Sequence, residues 1–208
     1  MQGKVIVITG ATSGIGQVAA ERLAGMGARL VLVARDKVRG QAMLARLRER
    51  LLASAPARVV NTSSNAHTRA RLDFDDLQSA HGYRGFKVYG RSKLCNVLYT
   101  RELARRWAGT GVTANSLHPG FVATRFADQS GGLFSYVVRV AKLFAISQEK
   151  GADTIVYLAS SPEVAHVSGA YFYKCHPATP SKEAQDDAAA RRLWLESARL
   201  GGLESPSA

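Results

Sequence analysis

The feature that most constrains the fold is the alternation of apolar, β-branched runs with stretches of helical periodicity. Five strands are predicted at KVIVIT (4–9), ARLVLVA (28–34), ARVVNTSS (57–64), VTANSLHP (112–119) and GAYFY (169–173). Helices are predicted at about 15–26, 37–53, 148–159 and from residue 86 onward. Continuous apolar strands separated by helices are typical of a parallel sheet covered on both faces. The sequence therefore predicts an α/β fold with a doubly wound parallel sheet (Rossmann-like) of about five strands.

The length and composition suit one globular domain. With 208 residues and 46% hydrophobic content the chain can bury a core, so we predict a single domain over 1–200 and a flexible tail over 201–208. No apolar run reaches the roughly 18 residues of a membrane span, and the N-terminus leads directly into a strand, without a signal peptide. Cys95 and Cys175 form no CxxC pair, which favours a reducing compartment. These features predict a cytoplasmic protein.

The net charge of +12 brings nucleic acid, an anionic membrane or a phosphorylated ligand into consideration. The basic residues are spread over several helical stretches and alternate with apolar positions, as they do on solvated helix faces. The sequence also contains no recognised nucleic-acid-binding motif. We therefore predict no nucleic-acid partner, and no metal site.

A glycine-rich loop, TGATSGIG (9–16), follows the first strand and opens the first helix. In this context a pyrophosphate can sit on the free N–H groups and the positive end of the helix. The spacing GxxxGxG differs from the commonest dinucleotide fingerprint, but the strand before it and the helix after it favour nucleotide binding over a structural turn. The predicted cofactor-binding residues here are Gly10, Thr12, Ser13, Gly14, Ile15 and Gly16.

Arg35 stands at the end of the second strand, where an acidic residue would otherwise bind the adenosine ribose. An arginine can pair with a 2′-phosphate through its forked donors, which predicts NADP rather than NAD. The alternative is a solvated arginine at a strand end. Lys37 or Arg39 could assist in either case.

Tyr89 and Lys93 lie four residues apart at the start of a predicted helix, so both side chains project from one face. In isolation, amphipathic packing explains such a pair. The alternative is that both polar ends serve one site, where a cation such as Lys93 could stabilise the anion of a phenol, whose ordinary pKa is about 10.

Four motifs in this order, TGATSGIG, NTSS, YGRSK and HPGFVAT, resemble the short-chain dehydrogenase/reductase family. The segments RVVNTSS, LDFDDLQ, SKLCNVLYTRELARR and RRLWLESARL resemble its retinol-dehydrogenase-like branch, and the match covers nearly the whole chain. The resemblance implies a nicotinamide cofactor and alcohol/carbonyl chemistry.

The resemblance also implies roles for individual residues. Tyr89 would be the general acid/base, Lys93 would tune it and hold the nicotinamide ribose, and Ser64 would orient the substrate oxygen. Ser63 is the adjacent alternative, disfavoured because side chains alternate along a strand.

The loop HPGFVAT is implied to contact the nicotinamide amide, and in isolation it would be an ordinary Pro-Gly turn. Its predicted cofactor-binding residues are Pro119, Gly120, Val122 and Thr124. His118 is interpreted as a structural neighbour of that turn rather than as a base.

An apolar stripe at near-helical spacing follows this loop. It consists of Phe126, Leu133, Phe134, Val137, Val140, Leu143 and Phe144. Such a stripe is usually core, but here it could form a lid over an apolar alcohol or carbonyl substrate. With Arg139 and Lys142 beside it, a membrane-surface helix is a third interpretation. The oligomeric state is left open, and the helix that carries Tyr89 is a candidate face for a homodimer by family analogy.

The chain departs from the family between Ala34 and Arg58, where about two dozen residues leave room for one helix. In the family this interval carries two further strands, an acidic residue near the adenine, an Asn-Ala-Gly segment and a catalytic asparagine. The third strand is expected to close the gap beside the first, giving the order 2-1-3-4-5. Because cofactor contacts are lost, the alternative to an NADP-dependent oxidoreductase is a non-catalytic shortened member that binds nucleotide weakly or serves as an interaction protein.

Overall fold

The structure is a computed structural model that describes residues 1–9, 14–33, 53, 55–120 and 146–201. Strands and helices alternate in this part of the chain, which confirms the predicted α/β class. The elements are β1 Val5–Thr9, α1 Gly14–Gly25, β2 Arg29–Val33, β3 Ala57–Thr62, α2 Gly85–Arg106, β4 Val112–Leu117, α3 Gln148–Ser160, β5 Tyr171–Tyr173, β6 His176–Pro177 and α4 Asp187–Leu200. Short 3₁₀ helices lie at Asn65–Arg69, Pro162–Val164 and Glu183–Gln185. The predicted helix over 37–53 falls almost wholly outside the described residues.

The chain forms two compact units. The first combines Met1–Asp36 with Pro119–Ser161, and the second combines Lys37–His118 with Pro162–Ala208.

In the first unit, β1 and β2 pair in parallel from Val5↔Arg29 to Thr9↔Val33, connected by α1. The apolar faces of α1 and α3 meet in a cluster of Ala19, Leu23, Ala152 and Val156, with Ile6 and Ile8 of β1 packed against it. Residues 6 and 8 share one face of the strand because side chains alternate.

In the second unit, β3, β4 and β5 form a parallel sheet, and β6 adds an antiparallel edge to β5. Leu94, Val97 and Leu98 of α2 recur at helical spacing and are almost fully buried. They pack in one cluster with Tyr171 of β5 and Leu193 of α4. Helix α4 begins at a capped end, since the Asp186 carboxylate accepts hydrogen bonds from the Ala188 and Ala189 amides. This packing holds α2 against the sheet formed by β3, β4, β5 and β6.

Within each unit the predicted order 2-1-3-4-5 is observed, as the pair β2–β1 and as the order β3–β4–β5. The predicted link between β1 and β3 would join the two units and stays a prediction. Helix α1 connects β1 with β2, and α2 connects β3 with β4, so each of these two parallel pairs forms a local βαβ unit. The connection that would set β3 beside β1 runs through 34–56, most of which lies outside the described residues.

Candidate active site

The two serines that follow β3 have different environments. Ser63 is 2% exposed, and its hydroxyl donates to the Lys93 carbonyl oxygen over 2.7 Å. Ser64 is only partly buried and caps the 3₁₀ helix Asn65–Arg69, where its hydroxyl oxygen accepts a bond from the Ala66 amide over 3.2 Å. A serine oxygen that accepts a bond keeps its O–H as a donor. Of the two hydroxyls, that of Ser64 is therefore the one suited to hold a substrate oxygen.

A hydrogen-bond network ties the Lys93 turn of α2 to the end of β3. The Lys93 ammonium donates to the Thr62 carbonyl over 3.2 Å, and the Asn96 side-chain amide donates to the same oxygen over 3.0 Å. The Ser63 hydroxyl holds the Lys93 carbonyl from the other direction. Because these bonds join strand and helix at one level, the Lys93 side chain starts from a fixed backbone position.

Tyr89 and Lys93 lie on the same face of α2, as their spacing predicts. The Lys93 Nζ atom is 5.5 Å from the centroid of the Tyr89 ring, within the range of a cation–π contact. Burial lowers the pKa of Lys93 from its ordinary value, because removing the ammonium from water disfavours the charged form. A partly desolvated cation at this distance can stabilise negative charge that forms on the phenol.

Gly90 brings the turn that carries Ser64 close to the helix that carries Tyr89. A Cβ atom at Gly90 would lie 3.0 Å from the Ala66 carbonyl oxygen and 3.5 Å from the Ala70 Cβ. Only glycine fits this approach without displacing the 3₁₀ helix. The Ser64 turn and α2 are therefore in direct backbone contact beside Tyr89.

His118 lies at the end of β4 in a stack of aromatic rings. Its ring centroid is 4.1 Å from that of Tyr173 and 5.9 Å from that of Tyr171, with interplanar angles of 12° and 22°. Burial, with a smaller contribution from His67, lowers the pKa of His118 to about 4. A neutral, stacked imidazole supports the interpretation of His118 as a structural residue.

The cofactor residues predicted from the sequence belong mainly to the first unit. Helix α1 begins at Gly14, whose φ of 62° is in the left-handed region that glycine favours, and its first turn contains Ile15 and Gly16 but no acidic residue. Pro119 and Gly120 are partly buried. The following predicted residues lie outside the described ranges: Gly10, Thr12, Ser13, Arg35, Val122, Thr124 and the whole apolar stripe of 126–144. The roles assigned to all of these residues stay predictions.

Two negative findings apply to the described ranges only. In that part of the chain, no group of three or more His, Cys, Asp or Glu side chains could hold a metal ion. None of the helices described is long and apolar enough to cross a membrane.

Two residues beside this site were not predicted from the sequence. Asn96 follows Lys93 by three positions on α2, so helical spacing could have placed it there. His67 contacts both Ser64 and Ser181, which are far apart in the chain. No local pattern could have indicated that pair of contacts.

Comparison with known proteins identifies relatives over most of the chain. The family model for short chain dehydrogenase matches residues 4–74. Retinol dehydrogenase 13 of Homo sapiens is 45% identical over 167 residues, which cover 77% of this chain and 50% of that protein. Retinol dehydrogenase 12 of Mus musculus is 31% identical over 277 positions, which cover 97% of this chain and 87% of that protein. The chain thus spans about half the length of the first relative. The second alignment is longer than the 208-residue chain, so that relative has internal residues that this chain lacks.

Solved structures resemble the fold at low sequence identity. An uncharacterized protein from Mycobacterium Paratuberculosis superposes with a TM-score of 0.70 at 24% identity, over 99% of this chain and 96% of that one. The 3-alpha-hydroxysteroid dehydrogenase from Pseudomonas sp. B-0831, solved in complex with NADH, gives a TM-score of 0.65 at 18% identity, over 81% and 94% of the two chains. At these identities the likeness shows the fold.

Proposed function

Because the chain belongs to the short-chain dehydrogenase/reductase family, in its retinol-dehydrogenase-like branch, we propose that it is an NADP-dependent oxidoreductase. Its reaction interconverts an apolar alcohol and the corresponding aldehyde or ketone. The observation that carries this proposal is the position of the Lys93 ammonium, 5.5 Å from the Tyr89 ring on a helix in contact with the Ser64 turn.

The residues of the chain perform the proton chemistry. In the reducing direction the Tyr89 hydroxyl donates its proton to the carbonyl oxygen of the substrate. The Lys93 ammonium stabilises the phenolate that remains, and the Ser64 hydroxyl donates a hydrogen bond that holds the substrate oxygen. In the oxidising direction the same proton returns to the phenolate from the alcohol.

A nicotinamide cofactor fits the residues present. When bound, it supplies hydride to the carbonyl carbon or accepts hydride from the alcohol. The start of α1 suits a phosphate because Gly14 has a left-handed backbone and no carboxylate in the first turn competes for the helix N–H groups. Lys93 would hold the nicotinamide ribose, and Arg35 would pair with the 2′-phosphate that distinguishes NADP.

An apolar substrate is supported by two observations. The relatives at 45% and 31% identity are named retinol dehydrogenases. Phe86 lies one helical turn before Tyr89, on the same side of α2, and its side chain is 67% exposed. An exposed phenyl ring one turn from the proton donor offers apolar surface to a substrate whose oxygen lies at Tyr89.

The experiment is a fluorescence titration with NADPH and with NADH, followed by cofactor oxidation in the presence of all-trans-retinal or hexanal. We expect saturable NADPH binding and NADPH oxidation that requires the carbonyl compound. Tyr89→Phe should abolish oxidation while NADPH binding persists. Tyr83→Phe is the matched control, because this hydroxyl belongs to a 72% exposed side chain in the segment just before α2. Arg35→Asp should weaken binding of NADPH about tenfold more than that of NADH, since it removes a charge-assisted pair.

A second candidate function is favoured by the internal residues that the chain lacks relative to mouse retinol dehydrogenase 12. In this alternative the chain is a non-catalytic family member that binds nucleotide weakly or acts as an interaction protein. A protein that unfolds cooperatively on heating but binds neither NADPH nor NADH at millimolar concentration would favour this alternative and overturn the proposed activity.

A further inference from the structure

His67 joins the Ser64 turn to a segment more than a hundred residues away. It lies in the 3₁₀ helix Asn65–Arg69 and is 1% exposed. Its Nδ1 atom is 2.7 Å from the backbone oxygen of Ser64, and its Nε2 atom is 3.2 Å from the backbone nitrogen of Ser181. All three residues belong to the second unit.

The two contacts define which ring nitrogen of His67 carries the proton. A backbone N–H can only donate, so Nε2 accepts from Ser181 and must carry a lone pair. A backbone carbonyl can only accept, so Nδ1 carries the hydrogen and donates to Ser64. Both contacts therefore require the same neutral tautomer. Burial lowers the pKa of His67, which favours the neutral ring, although the bond to Ser64 acts in the opposite direction.

The Ser64 carbonyl accepts two hydrogen bonds from this one residue. The ring Nδ1–H donates over 2.7 Å, and the His67 backbone N–H donates to the same oxygen over 3.1 Å. On the other side of Ser64, the Ser63 amide continues the β3–β4 ladder by donating to the Leu117 carbonyl over 2.6 Å. The backbone of Ser64 is thus held before and after its Cα atom, in an extended conformation with φ of −155° and ψ of 155°.

We propose that His67 is a positioning residue for Ser64, which fixes the direction of the Ser64 hydroxyl by holding its carbonyl group. This inference rests on the proposed function, in which Ser64 holds the substrate oxygen. The ring is itself fixed by the Ser181 amide and by an edge-on contact with Tyr171, at 5.0 Å between centroids. Together with the Nδ1–H bond to Ser64, these two contacts hold the imidazole in a single orientation, and the imidazole in turn holds the Ser64 carbonyl.

Two variants of His67 separate its two contacts. In His67→Asn, the side-chain amide nitrogen takes the place of Nδ1, so the donor to Ser64 is kept and the acceptor for Ser181 is lost. In His67→Gln, the longer side chain can place its carbonyl oxygen near the position of Nε2, so the acceptor is kept and the donor to Ser64 is lost. Comparing them distinguishes positioning of Ser64 from general stabilisation, since each removes one of two contacts of the same buried ring.

The first experiment makes two measurements on each variant: the turnover of retinal with NADPH, and the rate of hydrogen exchange at the Ser181 amide. For His67→Asn we expect kcat within about threefold of the wild type and faster exchange at Ser181. For His67→Gln we expect kcat to fall by about tenfold or more, an unchanged KM for NADPH and a protected Ser181 amide. If the two variants lose kcat equally, in proportion to the fraction of unfolded protein, or if His67→Gln keeps the wild-type kcat, the proposal is overturned.

The second readout needs neither cofactor nor turnover. Three-bond NMR couplings report the rotamer of the Ser64 side chain, and ¹⁵N shifts report which imidazole nitrogen is protonated. We expect one Ser64 rotamer in the wild type and in His67→Asn, averaged rotamers in His67→Gln, and a proton on Nδ1 of the wild-type ring. A single Ser64 rotamer in all three proteins, or a proton on Nε2, contradicts the inference. An inactive wild type that shows the expected couplings would overturn the proposed function and leave the positioning role established.

Discussion

Replacing Lys93 with methionine removes the charge that the site places beside Tyr89 while it keeps a flexible apolar side chain. The ammonium lies 5.5 Å from the Tyr89 ring centroid. For a phenolate oxygen at a similar distance from the ammonium, and with an effective dielectric constant of about 20, the charge would contribute about 3 kcal/mol. If this charge acts fully in the transition state, kcat falls by about a hundredfold. The assay is the initial rate of NADPH oxidation at saturating NADPH and retinal.

Stability should respond differently from activity in this variant. Because burial lowers the pKa of Lys93, the ammonium is costly to hold in its site. Methionine removes that cost but loses the bond to the Thr62 carbonyl. We therefore expect the free energy of unfolding at pH 7 to stay within about 1 kcal/mol of the wild type, measured in urea.

Lys87→Met is the matched control, since it removes the same charge from an exposed position on the same helix. It should change kcat by less than about twofold, because charges fully exposed to solvent are strongly screened. Equal losses of kcat in the two variants, or no loss in Lys93→Met, would refute the electrostatic reasoning. A loss of kcat in proportion to the loss of folded protein would also refute the electrostatic reasoning.

Three further predictions concern the surroundings of the site. Gly90→Ala should destabilise the protein by about 1–3 kcal/mol in urea, because the new Cβ would press on the Ala66 carbonyl at 3.0 Å; unchanged stability would contradict this contact. Burial lowers the pKa of His118 to about 4, so the stability that the neutral ring contributes is fully present above the ordinary value of about 6.5 and is lost as the pH falls toward 4. His118→Phe keeps the aromatic stack and should lose distinctly less stability between pH 7 and 4.5, whereas parallel losses would argue against a buried neutral ring. Lys174→Asn should raise the free energy of unfolding by about 0.5 kcal/mol, since residue 174 has a φ of 49° in the turn between β5 and β6, and a decrease would contradict the expected relief of strain.

Local patterns predicted the elements of the fold well, because each depends on nearby residues. The apolar run of 4–9 became β1 at Val5–Thr9, and the predicted helix of 148–159 became α3 at Gln148–Ser160. The spacing of Tyr89 and Lys93 placed both on one face of α2 for the same reason. A helix that connects two successive strands also indicates that the two strands pair in parallel.

Contacts between distant segments could not be predicted in this way. The link between β1 and β3 was predicted from the need to close a shortened sheet; it would join the two units and stays a prediction. His67 was overlooked because its partner Ser181 is 114 positions away in the chain. The assignment of Ser64 over Ser63 rested on alternation and resemblance, and the structure adds a physical reason: Ser63 is buried and donates to the Lys93 carbonyl.

The most direct test of the central claim follows a labelled hydride. NADPH that carries deuterium at both C4 positions of the dihydronicotinamide ring is incubated with the protein and retinal, and the alcohol formed is analysed by mass spectrometry. The proposed reaction predicts one deuterium in each alcohol molecule formed by the wild type and no alcohol above background with Tyr89→Phe. Labelled alcohol formed equally by Tyr89→Phe, or no alcohol from a folded wild type that binds NADPH, would contradict the account.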